Sequence, residues 1–340
     1  MIFSIVLLLL LGFSFLLNVG HMFGSLVHGK GRVTRTVGPK LEEVVFEEND
    51  SANKIAIVEI TGIIGSRAID QSGYSMVDVV KAALKNAEDD EHVKAVLLKV
   101  DSPGGEVLAS DEIYRAIADF QKHGTKPVIA SMGNLAASGG YYVSAPCRWI
   151  VANDMTITGS IGVILHAYNY RGLMDKVGLK PETYKSGKFK DMLSGDRTPD
   201  EVLPEEREML QNMINETFGK FKSVVAEGRK LASERNKGHG RALSDDWASY
   251  ADGRVLSGTD AYKLGFVDQL GNFEDAVAQA KSIAGISSAN LVEYRQHYDL
   301  SDLFRMFGKT EAPAIKVDLG FDPPKLQTGQ LYFLSPAFAH

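Results

Sequence analysis

Between residues 54 and 283, strand-like apolar segments alternate with helix-like segments, and this alternation constrains the fold more than any other feature. Lys54–Ile60 and Val93–Val100 have the continuous apolar character of buried strands. Between them, apolar residues recur at helical spacing from Met76 to Ala87. A strand followed by a helix and a further strand is typical of a parallel sheet covered by helices. The sequence therefore predicts an α/β fold with a largely parallel sheet.

The same alternation continues toward the C-terminus. Ser110 is a candidate N-cap for a second helix, whose apolar face includes Ile113 and Phe120. Further strands are predicted at Pro127–Met132, Arg148–Ala152 and Ile161–Leu165, a long helix at Leu203–Leu231 with a break near Gly219 or Gly228, and a last helix at Asn272–Ile283.

The N-terminal segment Ile2–Val19 contains no charged residue. Since about 20 apolar residues span a bilayer, we expect an N-terminal transmembrane helix that anchors the chain to the cell membrane by a single pass. A cleaved signal peptide is the alternative, but no basic residue precedes the apolar run. Lys30, Arg32 and Arg35 follow the segment, and the positive-inside rule would keep that side cytoplasmic. The membrane orientation therefore stays open.

Composition divides the chain into four parts and excludes some functions. We expect an anchor over residues 1–20, a linker over 21–53, the main domain over 54–285 and a C-terminal arm over 286–340. A net charge of −6 with mixed signs gives no indication of nucleic-acid binding. The single cysteine, Cys147, excludes an internal disulfide and a multi-cysteine metal site, and we expect it to be buried.

Ser138 lies in a run of small residues directly after a predicted strand. Ala136 and Ala137 precede it, and Gly139 and Gly140 follow it. Small neighbours allow a peptide backbone to approach, and glycines free backbone N–H groups to point toward one atom. This setting suits a nucleophilic serine, which needs a base to accept its proton. The alternative is a helix start that packs tightly against the sheet.

Two other glycine-rich junctions accompany the serine segment. They are Pro103–Gly105 and Thr158–Gly162. Because loops at the carboxyl ends of parallel strands gather at one edge of a sheet, these junctions are expected near Ser138. Gly104 and Gly105 could present backbone N–H groups to a developing oxyanion, although a tight turn alone would also explain them.

The residues alone do not identify the base. The histidine candidates are His92, His123 and His166, and the lysine candidates are Lys185, Lys188 and Lys190. A lysine that acts as a base must be neutral near pH 7, which requires burial or nearby positive charge. The alternative is a surface loop with solvated ammonium groups, and spacing does not distinguish among the three lysines.

The chain resembles the signal peptide peptidase A family of serine peptidases, which has the Clp-protease/crotonase fold. The resemblance covers about residues 54–285 and rests on motifs in the family's order. These motifs are KVDSPGGE at 99–106, MGNLAASGGYY at 132–142, TGSIGV at 158–163, GKFKD at 187–191 and ADGRV at 251–255.

This resemblance implies a role for each candidate site residue. Ser138 corresponds to the nucleophile, Lys190 to its base and Ser160 to the serine that orients the lysine amine. The oxyanion hole would combine the Gly139 N–H with one from Gly104 or Gly105. Such peptidases use neither a metal nor another cofactor.

The resemblance also implies a biological setting. Family members are membrane-anchored with an extracytoplasmic catalytic domain and cleave peptides such as remnant signal peptides through an acyl-enzyme. They form ring-like homo-oligomers in which neighbouring chains can complete one site. Two alternatives remain: a crotonase-type enzyme that acts on CoA esters with the same oxyanion hole, and a non-catalytic membrane scaffold.

Overall fold

The computed structural model describes residues 38–68, 73–124, 126–296 and 331–334. The strands in this part of the chain are β1 (Leu41–Glu47), β2 (Lys54–Thr61), β3 (Val93–Ser102), β4 (Gly104–Glu106), β5 (Val128–Ala137), β6 (Trp149–Ala152), β7 (Ile157–Gly159), β8 (Ile164–Leu165), β9 (Val255–Ser257), β10 (Gln269–Leu270), β11 (Asn290–Gln296) and β12 (Leu331–Leu334). The helices are α1 (Met76–Asp89), α2 (Val107–His123), α3 (Gly139–Ser144), α4 (Arg171–Lys176), α5 (Pro204–Arg235), α6 (Trp247–Tyr250), α7 (Gly258–Lys263) and α8 (Phe273–Ala284).

The main sheet is mostly parallel, which confirms the predicted α/β class. Its strand order across the described chain is β1-β11-β2-β3-β5-β6-β10, with β7 pairing with β5 and β9 pairing with β7. The two antiparallel pairs of this sheet are β1 with β11 and β7 with β9. A second sheet has the order β4-β12-β8. Strand β1 lies in the stretch predicted as a linker and β11 in the predicted C-terminal arm, while the domain boundaries themselves stay predictions.

The central strands are buried on both faces. Ala56, Val58 and Ile60 of β2 pack into the large cluster that includes α1, α2 and α5. Ile55 and Ile57 point to the opposite face, into the smaller cluster around α8. Burial on both faces explains why these segments read as continuous apolar runs rather than as alternating patterns. Cys147 is fully buried in the large cluster, as expected, and this burial raises the pKa of its thiol.

Side-chain caps fix two of the predicted helices. Ser75 caps α1 and Asn272 caps α8, each in a reciprocal pair with an aspartate three residues later. The prediction that Ser110 is the N-cap of α2 is wrong, because this helix already begins at Val107, directly after β4. Ser110 lies inside the helix, and its hydroxyl donates to the Glu106 carbonyl oxygen at 2.9 Å.

The long helix α5 shows no break at Gly219 or Gly228. A Cβ atom at Gly228 would collide with the backbone carbonyl of Ala145, at the end of α3. Gly228 therefore permits close approach of α5 to the helix that follows Ser138, and its effect is on packing rather than on helix continuity.

The predicted anchor segment Ile2–Val19 lies outside the described residues. Among the helices that are described, none is both long and apolar enough to cross a membrane.

Candidate active site

Ser138 occupies the turn between β5 and α3 in a backbone conformation that is uncommon for serine. Its φ angle is 54° and its side chain is almost completely buried. The Ser138 N–H donates to the Gly159 carbonyl at 2.8 Å, and the Ser138 carbonyl accepts from the Tyr142 N–H at 2.8 Å. Strained backbone of this kind persists only where surrounding structure holds it, and it is concentrated at functional sites.

Ser160 lies beside Ser138 for a topological reason. Strands β5 and β7 are parallel with Ala137 opposite Gly159, so each strand is followed at the same edge by a serine. Ser160 also has a positive φ angle, 51°, and is buried. Its N–H donates to the Arg254 carbonyl at 2.7 Å. The structure thus brings the predicted nucleophile next to the predicted lysine-orienting serine.

The predicted oxyanion glycines also meet at this edge. Strand β3 runs parallel to β5, with Ser102 opposite Ala136, and leads directly to Gly104. A Cβ atom at Gly139 would lie 3.0 Å from the Gly104 Cα atom and 3.1 Å from the Gly105 nitrogen. Gly139 is the first residue of α3, where an N–H group has no acceptor within the helix. The Gly104 N–H, by contrast, donates to the Ser102 hydroxyl at 3.1 Å.

Lys190 lies in an exposed turn between α4 and α5. Its two lysine neighbours bind carboxylates: Lys185 contacts Asp191 at 2.8 Å, and Lys188 contacts Glu205 at 2.9 Å. Within the described residues, the Lys190 amine makes no ion pair, and no hydrogen bond joins it to Ser138. The Ser138/Lys190 pair therefore stays a prediction.

A buried arginine fixes the lysine-bearing turn to α5, and the sequence analysis did not identify it. The Arg197 guanidinium makes two hydrogen bonds of 3.0 Å to the Glu206 carboxylate, which is buried on the first turn of α5. It also donates to the Asp191 carbonyl at 3.2 Å. The Glu206 carboxylate raises the pKa of Arg197, and the Lys185 amine lowers the pKa of Asp191. This network connects the residue after Lys190 to a rigid helix.

Neither of the two candidate histidines whose side chains are described is joined to Ser138. His92 is exposed at the opposite end of β3, just before Val93. His166 is partly buried after β8, and in the described chain no hydrogen bond connects it to the serine. The third candidate, His123, is the last residue of α2.

Comparison with known proteins identifies the family. The profile of peptidase family S49 matches residues 120–287. The chain is 42% identical over 239 residues to a putative protease of Synechocystis, covering 70% of this chain and 77% of that protein. It is 36% identical over 260 residues to a putative signal peptide peptidase SppA of Enterococcus faecium, covering 75% and 71%.

One solved structure, a membrane-bound stomatin-specific protease with a substrate peptide, aligns at 15% identity with a TM-score of 0.40, covering 75% of this chain and 97% of that one. The extent of the two sequence matches, together with the family profile, establishes the family of this chain. The chain belongs to peptidase family S49 and is a serine peptidase.

Proposed function

We propose that this chain is a membrane-anchored signal peptide peptidase of the Clp-protease/crotonase fold that cleaves peptides, including remnant signal peptides, with a Ser138/Lys190 dyad. One observation carries the proposal: buried Ser138 lies at a strained strand-to-helix turn, next to Ser160 and the contact between Gly104 and Gly139. Packing alone would explain the glycines. It would not explain two neighbouring serines that both have positive φ angles.

In the proposed reaction, the neutral Lys190 amine accepts the Ser138 proton as the serine Oγ attacks a peptide carbonyl. The Ser160 hydroxyl orients the amine. The Gly139 N–H and one N–H from Gly104 or Gly105 stabilise the negative charge on the carbonyl oxygen. The resulting ammonium group protonates the leaving amine, and a water molecule then hydrolyses the acyl-enzyme by the same proton route.

A neighbouring copy of the chain is proposed to bring Lys190 to Ser138 in a ring-like homo-oligomer. Two observations support this arrangement: Lys190 is exposed, and the segment that leads to it exposes large apolar side chains. These side chains are Tyr168, Tyr170, Leu173, Val177, Leu179 and Tyr184. Many exposed large apolar side chains within one segment are unusual for a surface that faces only water, and such residues are typical of a protein–protein interface.

Mixing two inactive variants tests this arrangement. If neighbouring chains complete the site, co-assembly of Ser138→Ala and Lys190→Ala chains restores peptide hydrolysis, because some sites pair an intact serine with an intact lysine. Each variant assembled alone is the control. A mixed assembly that stays as inactive as the separate variants would contradict completion between chains.

The membrane anchor over residues 1–20 and an extracytoplasmic catalytic domain form part of the proposal. They rest on the uncharged segment Ile2–Val19. Labelling an exposed residue of the domain with a membrane-impermeant reagent in intact cells tests the orientation. Labelling only after lysis would place the domain in the cytoplasm.

A serine-reactive phosphonate distinguishes the peptidase from its two alternatives. We expect covalent labelling of the wild-type chain and none of Ser138→Ala, because Ser138 is the attacking group. A crotonase-type enzyme would instead retain its activity on CoA esters in Ser138→Ala, because that chemistry needs no serine nucleophile. A non-catalytic scaffold would not be labelled at all.

Gly139→Ala is expected to lower kcat for peptide hydrolysis by about 100- to 1000-fold, the usual effect of losing an oxyanion-hole donor. The new Cβ atom would lie 2.7 Å from the Ser110 hydroxyl and 3.0 Å from the Gly104 Cα atom. It would therefore displace the two backbone segments relative to each other. Steady-state kinetics and thermal unfolding check this expectation.

Gly219→Ala is the matched control, because a Cβ atom there meets nothing within 4 Å. Normal turnover by folded Gly139→Ala would show that the N–H of this residue does not stabilise the oxyanion.

A further inference from the structure

The residues directly after β2 run alongside the glycines of the proposed oxyanion hole. The Ile64 N–H donates to the Gly104 carbonyl at 2.9 Å, and the Glu106 N–H donates to the Ile64 carbonyl at 2.8 Å. Ile64 is fully buried and pairs in parallel with Gly105. A Cβ atom at Gly105 would collide with the Ile64 backbone, so only glycine lets the two segments approach this closely. Residues 62–66, which we call the support segment, therefore hold one edge of β4.

One buried hydroxyl connects the support segment to the turn that leads into β4. Ser102 is the last residue of β3 and is fully buried. Its hydroxyl donates to the Gly62 carbonyl at 2.6 Å and accepts from the Gly104 N–H at 3.1 Å. Gly104 has a φ angle of 97°, which side-chain-bearing residues rarely adopt, and the Ser102 hydroxyl fixes the peptide group on its amino side. Ser102 thus determines the direction in which the Gly104 N–H points.

This bond also distinguishes the two candidate donors of the oxyanion hole. The Gly104 N–H is bound within its own turn, whereas the Gly105 nitrogen would lie 3.1 Å from a Cβ atom on Gly139. Two N–H groups stabilise one oxyanion only when both point to the same position, about 2.7–3.1 Å from each nitrogen. Since a single residue joins the fixed peptide group to the Gly105 nitrogen, a change at the first displaces the second.

A buried carboxylate fixes the other end of the turn. Glu106 directly follows Gly105 and is 9% exposed. Its carboxylate accepts hydrogen bonds from the Ser66 N–H at 3.0 Å and from the Ser66 hydroxyl at 2.6 Å. Glu106 also directly precedes α2, whose N-terminal end favours a negative charge. Ser102 and Glu106 therefore attach Gly104 and Gly105 to the same support segment from both sides.

We propose that Ser102 and Glu106 are positioning residues of this peptidase, which act through the support segment to direct the Gly105 N–H and the Gly139 N–H at the same oxyanion. This inference rests on the proposed role of Ser138 as the nucleophile. Neither side chain takes part in the proposed proton transfers. Because the oxyanion exists only after attack on the carbonyl, their contribution affects kcat rather than KM.

Ser102→Ala is expected to lower kcat for peptide hydrolysis by about 10- to 100-fold with little change in KM, because a small displacement of one donor weakens its bond to the oxyanion. The matched control is Ser144→Ala. Ser144 is also fully buried, and its hydroxyl donates to the Gly140 carbonyl at 2.8 Å within α3, without contact to the support segment. This control is expected to keep nearly normal kcat.

A thionoester substrate separates a displaced donor from general damage to the chain. An oxyanion hole made of N–H groups favours a carbonyl oxygen over a thiocarbonyl sulfur, because sulfur is larger and a weaker acceptor. The wild-type chain should therefore hydrolyse a peptide ester faster than the thionoester with the same leaving group. Ser102→Ala is expected to reduce this rate ratio about tenfold, whereas a partly unfolded chain would lose both rates equally. An unchanged ratio in Ser102→Ala would overturn its proposed role.

Two substitutions of Glu106 cover the case in which Ser102→Ala does not fold. Glu106→Gln keeps an oxygen that can accept both bonds from Ser66, and we expect nearly normal kcat and a nearly normal ester-to-thionoester ratio. Glu106→Ala removes this acceptor and is expected to lower both quantities about tenfold. Equal kinetics of the two Glu106 variants would overturn the proposed positioning through Ser66.

Phosphonate labelling of the wild-type chain keeps this inference separate from the proposed function. Labelling of Ser138 in the wild-type chain, with Ser102→Ala labelled about 10- to 100-fold more slowly, is the expected result, because the phosphonyl oxygen occupies the same oxyanion hole. Equal labelling rates in the two chains would contradict only the positioning role. Absence of labelling in the wild-type chain would contradict the role of Ser138 itself.

Discussion

Lys190→Ala is expected to lower kcat for peptide hydrolysis by about 10⁴- to 10⁶-fold, the range seen when a serine peptidase loses its base. Without an amine to accept its proton, the Ser138 hydroxyl is a poor nucleophile at neutral pH. The fold should not change, because the Lys190 side chain is exposed. Steady-state kinetics with a fluorogenic peptide, together with circular dichroism, measures both expectations.

Lys188→Ala is the matched control for this variant. Lys188 is in the same turn, is exposed and pairs with Glu205 at 2.9 Å. An exposed ion pair contributes at most about 1 kcal/mol to stability, so Lys188→Ala should retain nearly full activity. Similar losses in the two variants would indicate damage to the turn, and near-normal activity of Lys190→Ala would assign the base to another residue, with His166 the next to test.

The parts of the fold that could be predicted are the elements whose burial or capping produces a pattern in their own sequence. β2 and β3 are buried on both faces, so their apolar runs identify them. α1 and α8 have amphipathic patterns and capping residues at their first turns. β4, β7 and β12 have three or four residues each, and only pairing with distant strands makes them strands.

The candidate site residues also differ in whether their own sequence neighbours identify them. Ser138 and the glycines could be recognised because a nucleophile at a tight turn needs small neighbours. Lys190 could not be separated from Lys185 and Lys188 by spacing, and its assignment depends on the family resemblance. The structure supplies a physical difference, since within the described chain both neighbours have carboxylate partners.

Arg197 could not be identified from the sequence, because a charged residue in a connection between two helices usually lies on the solvent-exposed surface. Its buried position depends on Glu206, nine residues later, and no local pattern shows that the two side chains face each other. Proline at position 204, the first residue of α5, was the available signal that a helix starts here and places Glu206 on its first turn.

Arg229→Met is expected to reduce the free energy of unfolding by about 3–5 kcal/mol, since it leaves a buried carboxylate without its counter-charge. Arg229 of α5 pairs with Asp268, and the two side chains are 1% and 2% exposed. Arg229 also donates to the Cys147 carbonyl at 3.1 Å. Because this carbonyl lies just after α3, the pair connects α5 to the region behind Ser138. Urea unfolding measures the loss.

The charge of Asp268, rather than the lost packing of Arg229, is expected to cause most of this loss, and a double variant can separate the two. Asp268 accepts hydrogen bonds from the backbone N–H groups of Ile150 at 2.9 Å and Arg241 at 3.2 Å. The two N–H groups donate to different carboxylate oxygens, and asparagine keeps only one of these acceptors. Asp268→Asn removes the charge at the cost of one hydrogen bond, so Arg229→Met with Asp268→Asn should recover part of the stability lost in Arg229→Met. The control Lys230→Met, at the next and mostly exposed position of α5, should change stability by less than about 0.5 kcal/mol. A double variant no more stable than Arg229→Met alone would contradict the unpaired charge as the main cause of the loss.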